Sequence, residues 1–159
     1  MKTINNTIEN LKPYLELPFV TFIENSSNSG SVFKQWEKGI NMAKGKYIWI
    51  AEGDDLCEND FLANLLPFMK DANVNLSYSA SHTIDENDQV NKKHYFKVGH
   101  YNGLSFEESR WESEYVAEGI EEIKNALAIR NTIPNVSGVI MRKEKLKKID
   151  FHEASKYTC

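Results

Sequence analysis

Apolar residues along the 159-residue chain fall into two patterns, stripes at spacings of three and four and short unbroken runs. Ile4, Ile8, Leu11 and Leu15 form the first stripe and predict a helix. Pro13 lies inside it and should end or kink that helix near Lys12, because proline lacks the N–H and its ring crowds the preceding turn. The run Phe19–Ile23, aromatic and β-branched, predicts a short strand entered through Pro18. Glu24–Ser31 is a polar loop, and Ser31 is placed to cap the next helix with its hydroxyl. That helix carries Val32, Trp36, Ile40 and Ala43 on one face, with Gly45 as a left-handed stop. Trp36 lies in the stripe, so it reads as core rather than as a sugar-stacking ring. Trp49, inside the next strand, is likewise expected to be largely buried.

Tyr47–Ala51 is a nearly continuous apolar run, the pattern of a strand covered on both faces. It empties into Glu52-Gly53-Asp54-Asp55. Asn59 or Asp60 can cap a helix bearing Leu62, Leu65, Leu66 and Met69, and Leu76–Ala80 predicts another strand. Asp85–Gln89 has turn chemistry. From His94 to Glu114 no period holds, and Tyr95, Phe96, Tyr101, Phe106 and Trp111 read as the buried side of an irregular flap. Val116, Ile120, Ile123 and Leu127 mark one side of a helix, with Glu121 and Glu122 on its solvated side. Asn131–Asn135 breaks it, Val136–Met141 predicts a last strand, and Lys143–Ile149 a short basic helix. Strands alternating with helices indicate an α/β fold with a largely parallel sheet, and the length suits one domain over residues 1–159.

Composition narrows the function classes. A net charge of -4 speaks against a nucleic-acid binder, which needs a basic face to track phosphates. No apolar run approaches the roughly 18 residues of a membrane span. The chain's start has no apolar stretch of a signal peptide. Cys57 and Cys159 imply no disulfide framework and suit a reducing, cytoplasmic compartment. His82, His94, His100 and His152 form no i, i+4 pair, so they are read as surface or turn histidines.

Two polar segments follow predicted strands, and ligands of open α/β sheets bind outside the carboxyl ends of strands. The sharper one holds Glu52, Asp54 and Asp55 within four positions, where they repel one another. A hard divalent cation removes that repulsion, taking one or two carboxylates and completing its shell with water and substrate phosphates. Gly53 would allow a sharp backbone turn close to a ligand. An acidic loop leading into a helix N-terminus accounts for the same tetrapeptide, and the tetrapeptide alone does not choose between the two.

Read together, Asn28-x-Gly30, Gly39-Ile40-x-x-Ala43-Lys44-Gly45-Lys46-Tyr47-Ile48 and Glu52-Gly53-Asp54-Asp55 resemble the nucleotide-sugar half of family 2 glycosyltransferases. Asn131-x-Ile133-x-Asn135-x-Ser137, followed by Met141-Arg142-Lys143 and Leu146, looks like the family's later strand and entry loop. The resemblance covers roughly Phe19 to Phe151 and implies a GT-A-like (Rossmann-like), mostly parallel sheet flanked by helices, here incomplete. It implies metal-assisted transfer of a sugar, with inversion, from a nucleotide diphosphate-sugar donor to an acceptor hydroxyl. Glu52, Asp54 and Asp55 would hold manganese or magnesium, with Asp54 the surest because Glu52 replaces the family's leading Asp. Asn28, Gly30, Lys34 and Gly53 would face the nucleotide-sugar. Lys34 or Lys38 would replace the positive charge of the family's Arg-Asn pair, without the planar fork of an arginine.

The resemblance also implies that first strands carrying base and uridine contacts precede this chain, and that the general base follows Cys159. Asp150 and Glu153 do not match the family's base pattern. The chain taken alone is therefore expected to be inactive. The reading of another class is a non-catalytic remnant that folds, oligomerises, and binds metal or nucleotide weakly at most. Without the first strands, Phe19–Ile23 and Tyr47–Ala51 would carry unpaired edges, so a homo-oligomer is expected.

Overall fold

A computed structural model of the chain describes residues 3–92, 113–129, 131–133 and 135–157. The first helix, α1 (Thr3–Leu15), runs through Pro13 instead of ending at it. Pro13 stands in the last turn on the exposed side, so only one helical bond is given up and little packs against the distortion. The expected strand at Phe19–Ile23 does not form. The segment is irregular, with Phe19 81% exposed, because no strand among the described residues lies beside it to complete a ladder.

Helix α2 (Val32–Met42) starts after Ser31, whose backbone is extended but whose hydroxyl makes no capping bond. It ends at Ala43 (φ -57, ψ 138), not at a left-handed Gly45. Gly45 is needed for closeness: a Cβ there would stand 3.2 Å from the carbonyl oxygen of Tyr47. Next come β1 (Tyr47–Trp49), α3 (Phe61–Leu65), a 3-10 turn at Phe68–Lys70 and β2 (Leu76–Tyr78). Asp60 precedes α3 without capping it. Strands β3 (Thr83–Ile84) and β4 (Val90–Lys92) form a hairpin. As the composition of Asp85–Gln89 predicts, Asp85 Oδ1 closes it by accepting from the backbone N–H of Asn87 (2.8 Å) and Gln89 (3.0 Å).

The chain resumes in α4 (Gly119–Glu122), which runs into a π turn at Ile123–Leu127. The expected apolar stripe is here the outer face, with Val116 77% and Ile120 58% exposed, while Glu122 and Ala126 are buried. Glu122, expected in solvent, is turned inward because the wholly buried Thr132 hydroxyl donates to its carboxylate at 3.2 Å. The buried polar pair fixes which side of this short helix faces in. The 3-10 turn Val136–Gly138 leads into β5 (Val139–Arg142), followed by α5 (Lys143–Leu146) and α6 (Phe151–Ala154). The aromatics Tyr95, Phe96, Tyr101, Phe106 and Trp111, with His94, His100 and Cys159, lie outside the described residues. Among the described residues no helix is long and apolar enough to cross a membrane.

The main sheet has the order β1-β5-β2, and both ladders are antiparallel, which corrects the largely parallel sheet expected from the alternating pattern. The reason is where β5 starts. It enters beside the carboxyl end of β1, so it can only run back along that strand. Side chains alternate across the sheet as strand geometry requires. Ile48 and Met141 face a cluster with Ile40, Leu146 and Phe151, joined by Trp36 and Phe33. Tyr47, Trp49 and Ile140 face Phe61, Leu65 and Met69. Both Trp36 and Trp49 are half-buried rather than enclosed, each against an aromatic neighbour at 5.0 Å (Phe33 and Phe61). Packing is therefore the role of both rings.

At the carboxyl end of β5, Arg142 is buried and bonded only to backbone carbonyls. Its Nε donates to Val74 (3.1 Å), and Nη2 to Met69 (3.0 Å), Asp71 (2.8 Å) and Val74 (2.8 Å). The Tyr47 hydroxyl also donates to Met69 (2.8 Å), and its ring centroid lies 5.4 Å from the guanidinium carbon. The carbonyls of Met69 and Asp71 close the 3-10 turn and keep the Tyr47 hydroxyl and the Val74 N–H as further donors, whereas the Val74 carbonyl depends on Arg142. An unsatisfied buried acceptor costs about 1–3 kcal/mol, so Arg142→Ala should destabilise the chain by about that much. Arg142→Lys should recover only part of that, since an ammonium cannot span three acceptors. Urea unfolding would measure both, and a loss below about 1 kcal/mol would show that the carbonyls find other partners.

Candidate functional site

The acidic segment is placed by Ser137, a buried residue one turn ahead of β5. Its Oγ accepts from the backbone N–H of Glu52 at 2.9 Å. Its carbonyl accepts from Trp49 Nε1 at 2.7 Å, and its own N–H donates to Asn135 Oδ1 at 2.6 Å. One residue thus holds the end of β1 through its carbonyl and the beginning of the acidic loop through its hydroxyl. The loop turns through a bond from Asp55 N–H to the Glu52 carbonyl at 3.3 Å. Gly53 is exposed, has open space where a Cβ would be, and does not take a left-handed φ, so the turn does not depend on glycine as expected.

Asp54 is exposed, while Glu52 and Asp55 are half-buried. Burial pushes the Glu52 carboxyl above its ordinary value of 4.5, and the charges of Asp55 and Asp54 push it further. The repulsion anticipated from the sequence is therefore present. Among the described residues, however, no three of His, Cys, Asp or Glu converge into a group able to hold a metal ion. The donor set does not fit a closed cage. It fits an ion that takes one or two carboxylates and draws its remaining oxygens from water and a diphosphate, as magnesium does.

The second polar loop is built separately. Asn28 Oδ1 accepts from Gly30 N–H at 2.9 Å, and Gly30 takes φ +69, so this is the position where glycine is required. Ser29 Oγ donates to the Ser31 carbonyl at 3.0 Å. The loop is then tied down to α2. Lys34 Nζ donates to the Ser29 carbonyl at 3.3 Å, Lys38 Nζ to Asn25 Oδ1 at 2.8 Å, and Asn25 Nδ2 to Gln35 Oε1 at 2.9 Å. Asn28, Gly30 and Lys34 are all exposed. Their bonds run within the loop and to α2, not to the acidic segment.

Elsewhere His82, His152 and Cys57 are exposed, and Glu121 is exposed and paired with Lys124 at 3.3 Å. Ser137 is the residue positioning the acidic loop that residue type and periodicity do not single out. Nothing about a serine before a strand marks a bond to an amide 85 positions earlier. Its one signal is its place in the Asn135-x-Ser137 motif.

The sequence profile of glycosyl transferase family 2 matches residues 4–149. The chain belongs to that family. No curated protein and no solved structure matches it. The family match takes in both polar loops, the β1-β5-β2 sheet and the Ser137 anchor, so within family 2 these form the glycosyl transferase part of the chain. A GT-A fold goes with the family, and the antiparallel β5 lies inside the matched region.

The raised Glu52 pKa gives this family 2 site a pH signature. A carboxyl whose folded pKa lies above its unfolded value favours the folded state below the unfolded value, near 4.5. That contribution is lost as pH rises through the folded value. Glu52→Gln should therefore raise the melting temperature at pH 7 and leave it unchanged at about pH 3, well below the unfolded value, where the carboxyl is protonated in both states. Thermal unfolding at the two pH values would check this. An equal shift at both would mean the carboxylate charge is not the cause.

Proposed function

We propose that the site transfers a sugar from a nucleotide diphosphate-sugar to an acceptor hydroxyl, with inversion. The observation that carries this reading is an exposed Asp54, beside Asp55 and Glu52, at the carboxyl end of a strand pinned by Ser137. Manganese or magnesium, held by Asp54 with Asp55 or Glu52, would stabilise charge on the leaving diphosphate as a Lewis acid. The protein's own part is positional. Ser137 fixes the loop backbone, so the carboxylates need no bonds of their own to stay in place. Asn28, Gly30 and Lys34 face the donor as an exposed turn, with Gly53 beside the carboxylates. Asp150 Oδ1 accepts from Glu153 N–H at 2.9 Å as the cap of α6, and Glu153 pairs with Lys156 at 2.6 Å. Both carboxylates have structural work, which supports seeking the general base outside them.

A second reading keeps the family and drops the turnover: a chain that folds, self-associates and binds metal or nucleotide weakly. The exposed Phe19, Phe22 and Ile23 favour it. The outer edge of β1, which among the described residues pairs only with β5, offers a place for those residues of a second copy. An exposed free Cys57 supports a reducing, cytoplasmic setting.

Incubation with a panel of nucleotide-sugars separates the readings, since only the first gives transfer or donor hydrolysis. Calorimetry with manganese should show Asp54→Ala weakening binding by about tenfold or more, the scale of a disturbed metal site, with Glu121→Ala unchanged. Equal binding by both variants would remove Asp54 from the site. Sedimentation velocity at micromolar concentration should show a dimer or larger species that Phe19→Asp shifts to monomer. A monomeric parent would end the self-association proposal.

A further inference from the structure

The end of the sheet opposite the acidic loop carries the reverse charge. A cavity of about 230 Å³ opens there, lined by Gly45, Lys46, Arg142, Lys143, Glu144 and Lys147. It lies where β1 begins and β5 ends, and the N–H of Lys143 donates to the Lys46 carbonyl (3.0 Å) across the floor. Between 142 and 148 the chain reads Arg-Lys-Glu-Lys-Leu-Lys-Lys, with one acid among five cations, in a protein whose net charge is -4. Glu144, the carboxylate on the cavity wall, pairs with Lys145 at 3.7 Å. Among the described residues none of Lys46, Lys143 and Lys147 forms an ion pair.

The other interactions of these cations leave charge directed at the cavity. Arg142 commits Nε and Nη2 to carbonyls and contributes its positive field to the cavity wall. The Lys143 ammonium donates to the Ala43 carbonyl and retains two further hydrogens. Lys46 rests 5.4 Å from the Tyr47 ring centroid, an interaction that leaves its hydrogens available, and Lys147 is exposed at the rim. The acidic loop does not neutralise this end. From Lys46 to Glu52 is about 20 Å of extended chain, more than twice the roughly 8 Å screening length at physiological salt. Like charges gathered around one cavity repel, and an anion with several oxygens relieves all of them at once.

We propose that this cavity binds a phosphate or pyrophosphate group through Lys46, Lys143 and Lys147, at a site distinct from the one that Asp54 marks. The volume lies just below the 300–1,000 Å³ or so of pockets for drug-sized ligands, which suits a compact anion. A free pyrophosphate and the phosphate headgroup of an acidic lipid share this chemistry. The inference does not rest on the glycosyl transfer reading.

The test uses the whole chain with EDTA present, so that metal-dependent binding at the acidic loop cannot contribute. One arm titrates sodium pyrophosphate by calorimetry. The other co-sediments the protein with vesicles of phosphatidylcholine, plain or doped with phosphatidic acid. The double variant Lys46→Ala/Lys147→Ala should weaken binding about tenfold or more, since one charge-assisted hydrogen bond carries about that factor. Lys124→Ala, on a helix outside the cavity, should bind as the parent does, and binding should fall with added salt. Lys147→Gln alone, at the exposed rim, serves if the double variant fails to fold and should move affinity the same way. Lysine-dependent binding of pyrophosphate assigns a soluble anion, and lysine-dependent binding only to acidic vesicles assigns a headgroup. Absence of binding in both arms, or equal binding by parent and lysine variants, overturns the proposal.

Discussion

The strand Val139–Arg142 is the constraint on which the other elements depend, because it is bonded along both edges and anchored at both ends. Without it, β1 and β2 would have no neighbour in the sheet. Its lead-in residue Ser137 holds the Trp49 indole and the Glu52 amide, and its last residue Arg142 gathers the carbonyls that finish the 3-10 turn. Each anchor satisfies backbone or ring groups that would be costly to leave unpaired away from water. The two core clusters then follow from strand alternation, Ile140 serving one face and Met141 the other.

The same strand separates the charges. Its start meets the acidic loop and its end meets the lysines, so two fields of opposite sign sit at opposite ends of one short sheet. At the acidic end the loop is held by an uncharged hydroxyl and a backbone carbonyl. This leaves Asp54 free of structural duty, in contrast to Asp150 and Glu153, which hold α6 and its neighbouring turn. A carboxylate that stabilises nothing in the fold is available to a ligand.

Local patterns carried the local structure well. The Asp85–Gln89 turn, the Trp36/Ile40/Ala43 part of the α2 face (Val32 is exposed) and the strand at Tyr47–Trp49 were legible because each depends on neighbours a few positions away. Strand direction was not legible: Val136–Met141 reads as a strand whichever way it runs, and the deciding contact is with Glu52. The α4 stripe misled for a related reason, since Glu122 turns inward only because Thr132 waits there. Phe19–Ile23 has strand composition but no partner strand among the described residues, and composition does not supply one. Of the candidate site, Glu52, Asp54 and Asp55 were readable as mutually repelling acids, while Ser137, the residue that positions them, was visible only as part of a motif.

The long span between Trp49 and Ser137 also governs how the protein comes off the ribosome. The two residues that meet at the site are 88 positions apart, and Arg142 is 68 positions from the carbonyl of Val74 that it caps. At about 5–20 residues per second, the strand that joins the sheet is synthesised some 4–18 seconds after β1 emerges. During that interval Tyr47–Trp49 and Leu76–Tyr78 are nascent chain without their common partner, their apolar faces open to other molecules. The contacts that give this sheet its order make its birth slow, and the cell must shelter two unfinished strands until the third arrives.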